Sequence, residues 1–175
     1  MKPTTQKILT VLRIFSWVLF FSFCIKAGAL LISFIVSLLS NHAASVNLYS
    51  GFDLTELLKF SKWHYVVMNI AIIILIALKA NLFFRVTRLF SSINLENPFS
   101  DRVATLITSI SHIALQVGVV GVIIGIYAKW LLKKGPLFSY EGDNSEYLFL
   151  AAIVFIIAQI FKRGIELQTE NDLTV

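Results

Sequence analysis

Few residues in this chain of 175 have chemistry beyond packing. Lys26 lies near the middle of a long apolar run. A lysine at the centre of a membrane helix costs about 2.5–3.5 kcal/mol. Its ammonium must therefore snorkel, sit in a watery cavity, lie off-centre, or meet an anion or a lipid headgroup. His112, Gln116 and Gln159 fall towards one end of two further apolar runs, near Ser109 and Ser111. They suit an interhelical hydrogen-bond cluster, in which each bond is worth under about 1–2 kcal/mol and serves packing. Lys26, His112, Gln116 and Gln159 form the candidate intramembrane polar site.

The other chemistry-bearing types point away from catalysis. All ten acids read as loop or tail residues, so the intramembrane carboxylate of proton- and cation-coupled carriers is missing from the pattern. Glu141, Asp143 and Glu146 lack EF-hand spacing and read as a solvated acidic loop. His42 and His64 are the only pair placed to share a haem, yet both lie in or beside loops, and no His-Glu-x-x-His occurs. No cofactor or metal is expected. A single cysteine, Cys24, excludes a disulfide framework and a thiolate cluster. There is no Gly-x-Ser-x-Gly elbow and no P-loop, and the neighbours Ser111 and His112 cannot face each other on a helix. The expectation is a protein that is not an enzyme.

These residues need elements that hold them in an apolar phase. Hydrophobic residues make up 57% and charged residues 14%, where soluble domains carry about a quarter charged. Mean hydropathy is +0.81. The composition excludes an ordinary soluble enzyme or binding module. Four apolar stretches, over approximately 14–39, 65–84, 103–132 and 145–162, approach or exceed the roughly 20 residues a span requires. Runs such as IAIIILIA at 70–77 do not alternate, so helices rather than barrel strands satisfy the backbone. The expected fold is all-α: an integral membrane four-helix up-down bundle forming one domain over 1–175, with a connecting loop at 85–102 and a tail at 163–175.

Charge sets the expected orientation. Lys2, Lys7, Arg13, Arg85, Arg88, Arg102, Lys162 and Arg163 share one side, and that set includes every arginine. The other side holds Lys59, Lys62, Lys129, Lys133 and Lys134. The arginine-rich side reads as cytoplasmic, with both termini there. Trp63, Tyr65, Trp130 and Tyr147 fall near the opposite ends as interfacial aromatics. The net charge of +5 then belongs to a membrane face, and no motif supports direct nucleic-acid binding. The apolar run continues past Ala27-Gly28-Ala29, so the first span reads as uncleaved.

Local signals fill in the connections. Asp53 with Glu56, and Phe52 with Leu57, predict a short capped helix at the outer interface before the second span. Asn97 followed by Pro98 predicts the start of the third helix, with Asp101 in its first turn. Lys133-Lys134-Gly135-Pro136 turns the chain, and Gly118, Gly121 and Gly125 allow close helix contact. After Arg163 the tail reads as solvated, or as a segment that folds back on the loop or docks to a partner.

Asn97-Pro98-Phe99 and the ending FKRGIELQTENDLTV, with four spans and this length, resemble the bacterial membrane-protein family known as domain of unknown function 2975, over essentially the whole chain. Genes of that family often neighbour a small Cro/CI-like helix-turn-helix regulator. The resemblance therefore implies a bacterial inner-membrane protein acting as a regulatory or sensory partner of such a regulator. On that reading Asn97, Pro98, Phe99, Arg102, Glu166, Leu167, Gln168, Asp172 and Leu173 are the candidate docking residues. The alternative is a small carrier or lipid-interacting protein working through Lys26 and the glutamines. The lipid bilayer is a partner in either case, and a homo-oligomer stays open.

Overall fold

The computed structural model describes residues 3–39, 54–93, 100–138, 140 and 144–172, and the described residues are all-α with no strand. The elements are α1 (Pro3–Leu39), α2 (Thr55–Phe60), α3 (Lys62–Ser92), α4 (Asp101–Leu132) and α5 (Glu146–Asp172). Four of them, α1, α3, α4 and α5, are long and apolar enough to cross a membrane.

The helices pack in series. Among the described residues α1 lies on α3, α3 on α4 and α4 on α5, while α1 approaches neither α4 nor α5. Neighbours run antiparallel. Phe20 meets Phe84 and Phe34 meets Tyr65 across α1–α3. His64 meets Tyr127 and Arg85 meets Ser109 across α3–α4. Ser111 donates to the Ala151 carbonyl, and Val103 with Ile107 packs on Ala158, across α4–α5. The expected bundle is thus a row, with α3 and α4 in the middle and α1 and α5 on the flanks.

Burial follows that order. The core is built mainly from α3 and α4, with Met68, Ile72, Leu75, Ile110, Ala114 and Val117 at its centre. The flanking helices expose apolar side chains along their length, among them Ile14, Phe15 and Val18 on α1 and Ile153, Ile156 and Ile160 on α5. A helix exposing that much hydrocarbon needs an apolar solvent.

Two connections depart from the sequence reading. α2 is no isolated surface helix: Leu57 is fully buried and, with Leu54, joins the main core beside α3. Leu54 is its N-cap, and Phe52 and Asp53 of the expected cap lie outside the described residues. α4 begins at Asp101, with the Ser100 hydroxyl accepting from the Val103 amide. The cap of α4 is thus Ser100, directly before the acidic first turn, and the expected cap Asn97 lies outside the described residues. At the other end α5 stays helical to Asp172, well past the basic pair Lys162–Arg163.

Candidate functional site: a polar seam between α3 and α4

Several polar residues of α3 and α4 lie along one seam. On α3 the seam carries Asn81, Arg85, Arg88 and Ser92, spaced four, three and four apart. On α4 it carries Asp101, Thr105, Ser109, His112 and Gln116 at the same helical spacing. Such spacing lines residues along one face. Arg85 joins the two stripes by donating to the Ser109 hydroxyl. Asn81, Arg88, Asp101, Arg102, Thr105, His112 and Gln116 are all exposed. The opposite face of α4, with Val103, Ile107, Ser111, Ala114 and Gly118, is buried under its neighbours.

At the arginine-rich end the seam opens into a cavity of ≈ 580 Å³. Arg88, Ser91, Ser92, Asp101, Arg102 and Thr105 line it. Arg88 also lies over the Phe84 ring at 4.5 Å, which braces the guanidinium. Two buried polar atoms here, Arg85 Nε and Ser92 Oγ, lack a hydrogen-bond partner among the described residues. Burying a donor unsatisfied costs about 1–3 kcal/mol. The surface therefore favours an occupant that accepts hydrogen bonds. Apolar surface reaches this level of the fold: Ala158 packs on Val103 and Ile107, and Ile156 and Ile160 beside it are exposed.

The expected polar cluster is not assembled. His112 and Gln116 lie exposed on the seam face, and Gln159 is exposed on α5. No hydrogen bond among the described residues joins them, because Ser109 is taken by Arg85 and Ser111 by the Ala151 carbonyl. Lys26 has different company. Stacking of Phe23 on Phe83 places it opposite Lys79, and the charges acting on Lys79 are Glu146 and Lys26. The Lys79 ammonium lies 4.9 Å from the centre of the Tyr147 ring. Glu146, read as part of a solvated loop, is in the first turn of α5, next to the Tyr147 that Lys79 approaches.

The docking residues are also divided. Arg102 belongs to the seam cavity. Glu166, Leu167 and Gln168 are exposed on the last turns of α5, and Asp172 ends that helix. Asn97, Pro98, Phe99 and Leu173 lie outside the described residues, as does His42. His64 accepts or donates at Nδ1 to the Tyr127 hydroxyl, 2.7 Å away, and stacks near Phe60, which makes it part of an aromatic end-cluster with Trp130. Sequence reasoning missed the seam on α3. Arg85 and Arg88 were visible only as orientation markers.

An all-α protein with four candidate spans and one polar seam is a class rather than a function. The family model described as Protein of unknown function (DUF2975) matches residues 53–175, and the chain belongs to that family. The match takes in α2 to α5 and the whole seam, and leaves out α1 with Lys26, so it is narrower than the resemblance read from the sequence. No curated protein and no solved structure matches the chain.

Proposed function

We propose that this is a multi-pass, lipid-interacting protein of a bacterial inner membrane, whose α3–α4 seam receives the anionic headgroup of a lipid in the cytoplasmic leaflet. The four long helices cross the bilayer with both termini on the cytoplasmic side, where the arginines gather. The observation that carries the reading is the cavity bearing Arg88 and Arg102, with Arg85 Nε and Ser92 Oγ buried without partners among the described residues beside it. Guanidinium groups pair with phosphate through two parallel hydrogen bonds. Among the described residues Asp101 is the only acid lining the cavity, against Arg88 and Arg102, so the same face of a second copy would oppose like charges. The role is binding, and no reaction is assigned to the seam.

The test is lipid retention. Wild type and an Arg88→Gln/Arg102→Gln variant are purified in mild detergent and their bound phospholipid is measured by mass spectrometry. Added phosphatidylglycerol, phosphatidylcholine and inorganic phosphate are then compared as ligands. A hydrogen bond to a charged group is worth about 1.5–3 kcal/mol, so each arginine should carry roughly tenfold in affinity. Phosphatidylglycerol retention should fall in the variant while phosphatidylcholine stays unchanged. Equal retention of phosphatidylglycerol by both proteins sinks the proposal, and tight binding of phosphate alone would reassign the seam to a soluble anion.

A second reading is favoured by the far end of α5. Beyond Ala158, which packs near the start of α4, the helix continues to Asp172, about 21 Å further. Glu166, Leu167 and Gln168 are exposed there. This helical extension offers a docking surface to the helix-turn-helix regulator implied by the family resemblance. Capture of such a regulator by the full chain, lost on truncation after Gly164, is the result expected.

A further inference from the structure

Helices α3 and α5 both pack on α4, and among the described residues their backbones do not meet. The corner between them is apolar by sequence. Tyr147, Leu150, Val154 and Ile157 follow one another at three, four and three residues along α5, and Leu82, Val86 and Leu89 at four and three along α3. Such spacing puts each set on one helix face. Ile107 and Ile110 lie between the two sets, on the buried side of α4 that faces away from the polar seam. The result is a groove of ≈ 600 Å³. Leu150 and Ile157 line it and are each 40% exposed, so the groove is continuous with the outer apolar face of α5, the surface a bilayer covers.

Both ends of the groove are defined. Leu148 sits over Gly118, close to the middle of α4, so the Tyr147 end is at mid-height. The Lys79 ammonium lies 4.9 Å from the centre of the Tyr147 ring and closes the corner there. The other end, at Leu89, Ile107 and Ile157, is towards the arginine-rich face. From Tyr147 to Ile157 α5 rises about 15 Å, which is one leaflet of a hydrocarbon core about 30 Å thick.

Size and chemistry choose the occupant. A helix about 10–12 Å across would need roughly 1,200–1,700 Å³ over that length, so a helix of a second copy does not fit. Water gains no partners from walls of this kind, and apolar cavities stay dry. A dry cavity of about 150 Å³ holds one benzene, or about 25 Å³ per carbon, so one chain of about 16–18 carbons needs roughly 400–450 Å³ and two do not fit. Among the described residues Glu146 is the only charged one lining the groove, at the closed end, where a carboxylate head would meet like charge. The chain therefore enters with its methyl end first. We propose that the groove holds one acyl chain of a phospholipid from the leaflet at the arginine-rich face, with Tyr147 and Lys79 stopping its methyl end. The group recognised is the hydrocarbon and not the headgroup. The site needs the helices to span a bilayer, and it does not depend on the anion proposed for the seam.

Photolabelling tests it. The full chain is reconstituted with phosphatidylcholine, and separately with phosphatidylglycerol, carrying a diazirine near the methyl end of one acyl chain. After irradiation the adducts are located by mass spectrometry of peptides. Labelling of Val86, Leu150 and Val154 should exceed severalfold that of Ile153 and Ile156, which are exposed on α5 but do not line the groove. The excess should be the same with both headgroups. Leu150→Trp, which fills the groove from its open side, should remove the excess at Val86, and Ile153→Trp should leave it. Equal labelling of groove and outer face in the wild type overturns the proposal, since the chains would then only bathe the helix. An excess at Val86 that survives Leu150→Trp overturns it too. So does an excess that requires phosphatidylglycerol, because the lipid would then be held by its headgroup.

Discussion

The depth of α5 rests on two glycines, and a single methyl group tests it. Gly121→Ala would place a Cβ 2.4 Å from the Asn144 Cβ. Carbon atoms rest at about 3.5–4.0 Å, so the start of α5 has to withdraw from α4 by more than an ångström. Asn144 is buried and Leu148 sits over Gly118 in the next turn, so that movement disturbs more than one contact. Overpacking of this kind costs about 1–3 kcal/mol. Gly28→Ala is the matched control: nothing lies within 4 Å of its added Cβ. That change should be neutral, or stabilising by up to about 1 kcal/mol, through helix propensity alone. The assay is the unfolding midpoint as mild detergent is replaced by SDS, followed by circular dichroism. Gly121→Ala should unfold clearly earlier than wild type, and Gly28→Ala should not. If the two variants unfold together, α5 is not seated on α4 at this level.

Other consequences can be checked in the same preparation. Lys79→Met and Glu146→Gln combined should destabilise the protein by less than the sum of the two single losses, with a coupling of about 0.5–3 kcal/mol in a double-mutant cycle. Additive losses would mean that the two charges do not support each other. Tyr65→Phe removes the hydroxyl that lies 2.7 Å from Ser37. It should cost no more than about 0.5–1.5 kcal/mol, because Ser37 keeps its bond to the Phe34 carbonyl; a much larger loss would show that this contact anchors α1. Leu57→Ala, at a site with no exposure, should cost about 2–5 kcal/mol by leaving a cavity. A loss within experimental error would return α2 to the surface.

Much of the fold is legible because apolar length is a strong signal. The third stretch, read as 103–132, is α4 at Asp101–Leu132, and the second is the centre of α3 at Lys62–Ser92. Connections were harder. Asn97 and Ser100 are both good cap types three residues apart, so sequence alone does not choose between them, and the bond to Val103 marks Ser100 as the cap of α4. The expected tail at 163–175 is helical as far as Asp172, since nothing after Arg163 breaks the helix: Gly164 alone lowers propensity without ending it. The seam was obscured by a different effect. In a helix that is apolar nearly all round, periodicity does not say which face a lone polar residue takes. His112 and Gln116 were therefore assigned to the interior by their cost in lipid, and the structure puts them on an exposed face.

The level at which α5 meets α4 could not be read from the sequence, because a glycine permits close approach without naming its partner. Once Gly118 and Gly121 are seen against Leu148 and Asn144, the other irregularities of this end have one cause. Phe138 and Asn144 are buried because the chain comes back to that level before α5 begins. Tyr147 comes to Lys79 because the first turn of α5 is carried down beside the middle of α3. Lys26 lies on α1 opposite Lys79, as the stacking of Phe23 on Phe83 requires. The same row of helices thus holds polar groups in two places: a seam on α3 and α4 with its cavity at the arginine-rich end, and Lys79 against the Tyr147 ring at the start of α5. Because the seam draws on Arg85, Arg88 and Arg102, neutralising Lys79 should leave the anion of the seam in place.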